Sequence, residues 1–123
     1  MTEPKKIKVG LLEDEPRVTT LVMELLTDEG FEVFHSPKGT DEWLKKLKNE
    51  GVKHFLLDVE QEKKPLGLAF AEKIKEKIED AKIIMMSGNP SHEKKAREIA
   101  ARDFIPKPFA IKHFIEVVKT HFT

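Results

Sequence analysis

Five short apolar runs, each halted by a polar residue or a proline, constrain this chain more than any other feature. They cover residues 7–12, 31–35, 54–58, 82–86 and 104–105. The stretches behind them carry apolar residues at helical spacing. These are Val18, Leu21, Val22 and Leu25; Trp43, Leu44 and Leu47; Phe70, Ala71, Ile74 and Ile78; Ala96, Ile99 and Ala100; and Ile111, Phe114, Ile115, Val118 and Phe122. Strands so short and so apolar are buried on both faces. Five strand–helix units therefore predict an α/β fold: a doubly wound parallel sheet covered by helices on each side. Right-handed crossovers leave few strand orders, and 2-1-3-4-5 is the common one for five units.

The punctuation agrees. Pro16 suits the first turn of a helix, and Gly30 and Gly51 are helix stops. Ser36-Pro37, the polar loop 60–64 before Pro65-Leu66-Gly67, and Ser87-Gly88-Asn89-Pro90 are turns. The fourth helix is expected over 91–102 with Ser91 as its N-cap, and its apolar stripe is thin.

Composition then excludes whole classes. The chain has 123 residues, the length of one domain, and is expected to be a single domain over 1–123 with no output domain. Its 22 basic and 22 acidic residues cancel, which argues against a direct nucleic-acid binder or an anionic-membrane binder. Absence of Cys removes disulfide scaffolds, thiol catalysis and Cys-based zinc sites. No apolar run is long enough to cross a membrane. The polar start Met1-Thr2-Glu3-Pro4-Lys5-Lys6 is no secretion signal, so a cytoplasmic location is expected. Glu and Lys dominate while Gln and Asn are scarce. That balance fits growth at high temperature, or simple drift in base composition.

In sheets of this kind the reacting groups lie beyond the carboxyl ends of the strands, where strand order reverses. Strand 1 ends in Glu13-Asp14, strand 3 in Asp58, strand 4 in Ser87 and strand 5 in Lys107. Strands 1 and 3 are neighbours in the expected order, so three carboxylates converge. Such crowding calls for a cation, and oxygen ligands alone suit Mg²⁺. The Ser87 hydroxyl and the Lys107 ammonium flank the same crevice as donors for an anion. Asp58, in the centre, can act as a nucleophile and become an aspartyl phosphate. Magnesium would neutralise charge on the phosphoryl oxygens, with Lys107 and Ser87 holding them.

On these residues the chain resembles the receiver domains of the response-regulator family of two-component signalling. The resemblance rests on Leu11-Leu12-Glu13-Asp14-Glu15-Pro16, Phe55-Leu56-Leu57-Asp58, residues 83–88, and Phe104-Ile105-Pro106-Lys107-Pro108-Phe109, and it runs from about Lys6 to the C-terminus. It implies a flavodoxin-like (βα)5 fold and a phosphoacceptor signalling domain rather than a turnover enzyme. Asp58 would take the phosphoryl group from a sensor histidine kinase or a histidine phosphotransfer protein. Asp14, Asp58 and the backbone carbonyl of Glu60 would ligate Mg²⁺, with Glu13 acting mainly through water. Ser87 matches the hydroxyl residue that grips the phosphoryl group, and Gly88 the small residue that leaves it room. Lys107 would pair with that group across a cis peptide to Pro108, and Phe104 matches the aromatic that swings inward. The switched surface, on helix 4, strand 5 and helix 5, would engage a downstream protein target.

Two departures stand out. Gln61-Glu62 replace the Met-Pro pair common in the family, and the loop from Asp58 to Gly67 is about one residue longer. Glu60 adds a fourth carboxylate at the lip, and Glu60 with Asn89 is expected to tune water's access to the acyl phosphate. Blander readings stand beside these. Glu13-Asp14-Glu15 also suits a plain helix N-terminus, Phe104 plain core, Trp43 packing, and the Lys-rich helix faces simple solvation. His35, His54, His92, His113 and His121 show no metal-ligand spacing and read as strand, loop and helix-surface residues. Three rival readings each lack something or remain open. An FMN-binding flavodoxin-like electron carrier needs a phosphate cradle where Glu13-Asp14-Glu15-Pro16 stand. A phosphohydrolase needs a cap domain for its substrate. A degenerate receiver would signal without phosphorylation.

Overall fold

Strands β1 (Lys8–Leu12), β2 (Glu32–Ser36), β3 (His54–Asp58), β4 (Lys82–Ser87) and β5 (Asp103–Pro106) pair in parallel in the order β2-β1-β3-β4-β5. Between and after them run α1 (Pro16–Asp28), α2 (Asp41–Asn49), α3 (Leu66–Lys77), α4 (His92–Glu98) and α5 (Ile111–Phe122). The computed structural model describes residues 5–99 and 101–123. The expectations for Met1–Pro4 and for Ala100 fall outside them. Among the described residues no helix is long and apolar enough to cross a membrane.

Strand alternation divides the interior into two cores. Leu12, Phe55, Leu57, Ile83 and Met85 point to one face, where α2, α3 and α4 cover them with Trp43, Leu47, Phe70, Ile74 and Ala96. Val9, Leu11, Leu56, Ile84, Met86 and Ile105 point to the other, beneath Val22 and Leu26 of α1 and Phe114, Val118 and Phe122 of α5. Trp43 stacks on Phe70 with ring centres 5.5 Å apart, so it is packing. Filling both faces places β1 and β3 in the middle, with their carboxyl ends side by side.

The boundaries differ from expectation in ways the local bonding explains. Phe31 is not in β2, because its N–H caps α1 through the Leu26 carbonyl at 3.0 Å. Gly30 carries the preceding turn at φ 92°. Ile78 lies just past α3 in extended backbone, yet is still buried. The α1 stripe centres on Val22 and Leu26, leaving Leu21 on the exposed side. The α4 helix stops at Glu98 instead of reaching residue 102. By Arg102 the chain already donates to Ile83 of β4 at 2.6 Å, so strand pairing claims the last expected turn. Ser91 is not a side-chain cap. Asn89 instead closes the turn before the helix: its Oδ1 accepts from the Ser91 N–H at 3.0 Å and from the Ser91 hydroxyl at 2.8 Å.

Candidate functional site

The site lies just beyond the carboxyl ends of β1, β3, β4 and β5. Glu13 follows β1 directly. Its N–H donates to Ser36 of β2 at 3.2 Å, and its carbonyl accepts from His35 Nε2 at 2.8 Å. These bonds turn the side chain inward, where it is 0% exposed. Asp14, one residue on, faces solvent, and its Oδ2 accepts from the Glu62 N–H at 3.1 Å. Asp58 closes β3 at 5% exposure, and its Oδ1 accepts from the Glu60 N–H at 3.3 Å. Carboxylate oxygens of Glu13, Asp14 and Asp58 all come within 4.8 Å of one another.

Lys107 supplies the countercharge. Its N–H donates to the Ser87 carbonyl at 2.8 Å, and a cis peptide joins it to Pro108. Its ammonium lies 2.6 Å from Glu13 Oε1 and 3.4 Å from Asp58 Oδ2. Burial pushes the Asp58 carboxyl up to about 7; Lys107 pulls it down, the Glu13 carboxylate adds to the rise, and the Glu60 N–H opposes it. Burial and a neighbouring like charge thus make the ionised Asp58 carboxylate costly in this pocket. Fully ionised, its three carboxylates face one ammonium. Two uncompensated negative charges on hard oxygen ligands fit a divalent cation such as Mg²⁺.

Ser87, at the end of β4, is buried, and its hydroxyl is already engaged. It accepts from the Asn89 N–H at 3.0 Å, lies 2.9 Å from His92 Nδ1 and donates to Glu60 Oε1 at 3.4 Å. Asp58, Glu60, Gly88, Asn89 and Lys107 line a shallow cavity of about 410 Å³. A Cβ added at Gly88 would meet nothing within 4 Å, so this edge of the cavity is open. Phe104 lies in the core on the α4 side rather than in the cavity.

The longer loop takes a definite path. Gln61 and Lys64 exchange N–H···O bonds of 3.0 and 2.9 Å around Glu62 and Lys63, which sit at φ 52° and 63°. Two central residues with positive φ make this a tight primed turn, usually given to Asn and Gly. The turn tucks Gln61 inward at 2% exposure, where its Nε2 donates to the Asp58 carbonyl at 2.6 Å. Gly67 then brings α3 against β3, its N–H bonded to Val59 at 2.8 Å.

Every strand-end residue singled out in the sequence stands at this end of the sheet. Sequence reasoning missed the engaged state of the Ser87 hydroxyl, the Glu13–Lys107 pair and the buried Gln61. It also took His92 for a helix-surface residue, whereas the side chain is only 19% exposed and contacts Ser87. The available signal was position: His92 opens α4 immediately after the Ser87-Gly88-Asn89-Pro90 turn.

A doubly wound 2-1-3-4-5 sheet with an acidic cluster and an ammonium over its central strands defines a receiver-type α/β domain. Residues 9–119 match the response regulator receiver domain model, and the chain belongs to that family. It is 29% identical over 113 residues to the sensory transduction protein LytR of Staphylococcus haemolyticus, covering 91% of this chain and 44% of that protein. The chain thus spans less than half of this curated relative. Among solved structures it is similar to the response regulator TrrA of Thermotoga maritima in complex with Mg²⁺-BeF. That match has 30% identity and a TM-score of 0.80, covering 94% of this chain and 98% of that one. NtrX of Brucella abortus matches at 27% identity and TM-score 0.84, over 96% of this chain and 27% of that one.

Proposed function

We propose that Asp58 is the phosphoacceptor of this receiver domain. The observation that carries the reading is the cluster itself: Glu13, Asp14 and Asp58 oxygens within 4.8 Å, with the Lys107 ammonium against two of them. An Asp58 oxygen attacks the phosphorus of a phosphohistidine on a kinase or phosphotransfer protein. The new P–O bond forms as the P–N bond breaks, and the departing imidazole keeps the electron pair and takes up a proton. Attack needs the ionised carboxylate, and Lys107 favours that form. Asp14, Asp58 and the Glu60 carbonyl would hold Mg²⁺, with Glu13 acting through water. Bound there, the ion would offset charge on the phosphoryl oxygens. Lys107 and a reoriented Ser87 would hold those oxygens, and Gly88 leaves them room.

The charge added at Asp58 would bias α4, β5 and α5 between two packings, with Phe104, already buried on the α4 side, repacking there rather than swinging in from solvent. The exposed face of those elements then meets a downstream protein, and a cytoplasmic location goes with such a kinase partner. Glu60 and Asn89, at the cavity's lip, tune access of the hydrolytic water. The chain's own chemistry extends at most to its self-phosphorylation and self-dephosphorylation.

Incubation with acetyl phosphate and Mg²⁺, followed by intact mass, tests the reading. The wild type gains one phosphoryl mass and Asp58→Asn gains none. A gain that survives in Asp58→Asn refutes the assignment. No gain in the wild type favours a receiver that signals without phosphorylation.

A further inference from the structure

A hydroxyl has one proton and two lone pairs, and Ser87 has its own committed. Asn89 N–H donates to the oxygen at 3.0 Å, His92 Nδ1 lies 2.9 Å away, and Glu60 Oε1 is the more distant partner at 3.4 Å. Among the described residues the hydroxyl makes no hydrogen bond to Asp58. With His92 Nδ1 as the acceptor, the hydroxyl's one proton cannot turn to an oxygen of a group carried on Asp58 without leaving the imidazole.

His92 cannot follow without moving α4. It is the first residue of that helix, whose start has no side-chain cap. Ala96 is the one fully buried side chain of α4 among the described residues, so the helix is thinly anchored. The short Ser87–His92 bond therefore ties the beginning of α4 to the end of β4.

We propose that His92 is a positioning residue, which latches the Ser87 hydroxyl in the resting chain and releases it when Asp58 carries a phosphoryl group. This rests on the phosphoacceptor reading of Asp58. The latch opposes recruitment of Ser87 by the strength of one hydrogen bond. Its release leaves His92 Nδ1 only the longer 3.5 Å contact with Glu60 Oε1, which loosens the start of α4.

The probe is beryllofluoride with Mg²⁺, titrated into the full chain and followed by amide and imidazole nitrogen resonances. His92→Ala should bind the probe about two- to tenfold more tightly than wild type, the worth of one net hydrogen bond. His92→Asn, whose amide can stand near the Nδ1 position, should return binding toward wild type. In a Ser87→Ala background, His92→Ala should change nothing, because the partner is already gone. In the wild type, the His92 Nδ1 resonance should shift on binding together with amides of α4. Unchanged or weaker binding by His92→Ala would overturn the latch alone. So would a gain that persists without the Ser87 hydroxyl. A wild type that takes neither the probe nor phosphoryl mass would remove the phosphoacceptor reading, and the latch with it.

Discussion

Gly67→Ala should unfold this domain far more easily, although the same change in an open helix would stabilise it. A Cβ at Gly67 would lie 2.1 Å from the Asp58 carbonyl oxygen, 2.9 Å from Val59 Cα and 3.0 Å from the Asp58 carbonyl carbon. Carbon contacts settle at about 3.5 Å, so the start of α3 must retreat by more than ~1 Å. That retreat breaks the 2.8 Å bond from the Gly67 N–H to the carbonyl of Val59, a fully buried residue. Helix propensity and a stiffer unfolded chain favour alanine by about 1 kcal/mol. Overpacking against backbone costs about 1–3 kcal/mol and the orphaned polar pair about as much again. The net is a loss of about 1–5 kcal/mol. Urea unfolding followed by Trp43 fluorescence and far-UV circular dichroism measures it. Gly88→Ala, where the Cβ meets nothing within 4 Å, is the comparison and should hold wild-type stability. Because the obstructing oxygen belongs to Asp58, Gly67→Ala should also weaken Mg²⁺ binding. A Gly67→Ala protein as stable as Gly88→Ala would refute the close-approach argument.

Two further outcomes follow from local geometry. Lys63 at φ 63° occupies a conformation that glycine adopts without strain, so Lys63→Gly should raise the unfolding free energy by about 0.5–1 kcal/mol. No gain in a urea melt would show that the turn carries no strain at that position. Burial, then the Lys82 ammonium paired across from it in β4, holds the His54 imidazole below its ordinary value. Its neutral form is therefore favoured in the fold. The stability it contributes is present above the unfolded value of 6.5 and is lost as the pH falls from there through the lower folded value. His54→Gln should flatten the stability–pH curve in that window, and an unchanged slope would discount burial as the cause.

The doubly covered sheet was legible because each strand announces both its faces: Leu56 and Leu57 must both be buried, and only a sheet covered twice buries both. The acids and the lysine were legible because they follow the last apolar residue of their strands. What side chains do to one another was harder to read. Ser87 carries a hydroxyl in any reading, and only coordinates show it tied to His92. Gln61 reads as polar loop until the Glu62–Lys63 turn is seen to fold it under β3. The end of α4 went wrong because spacing at Ile99 continues a helical stripe, while the competing demand, pairing of Arg102 with Ile83, is invisible locally.

The Lys107 ammonium offers the sharpest view of how the pocket is held before any phosphoryl group arrives. Glu13 is wholly buried 2.6 Å from it, and Asp58 is nearly so at 3.4 Å. Lys107→Met keeps most of the stem's packing and deletes the charge, leaving two buried carboxylates with no cation. Breaking a buried pair from one side costs about 3–5 kcal/mol. Because burial raises the Asp58 carboxyl, it can take up a proton once the ammonium is gone, which places this site toward the lower end. Glu13→Gln added to Lys107→Met should recover part of the loss, since the single variant's penalty is chiefly an unpaired charge rather than a missing contact. Mg²⁺ should then raise the melting temperature of Lys107→Met by more than that of the wild type, because three carboxylates without an ammonium bind a divalent cation more strongly. Equal shifts in the two proteins would mean that Lys107 is no counterion to the cluster. Its place between Glu13 and Asp58 would then matter only once a phosphoryl group is bound.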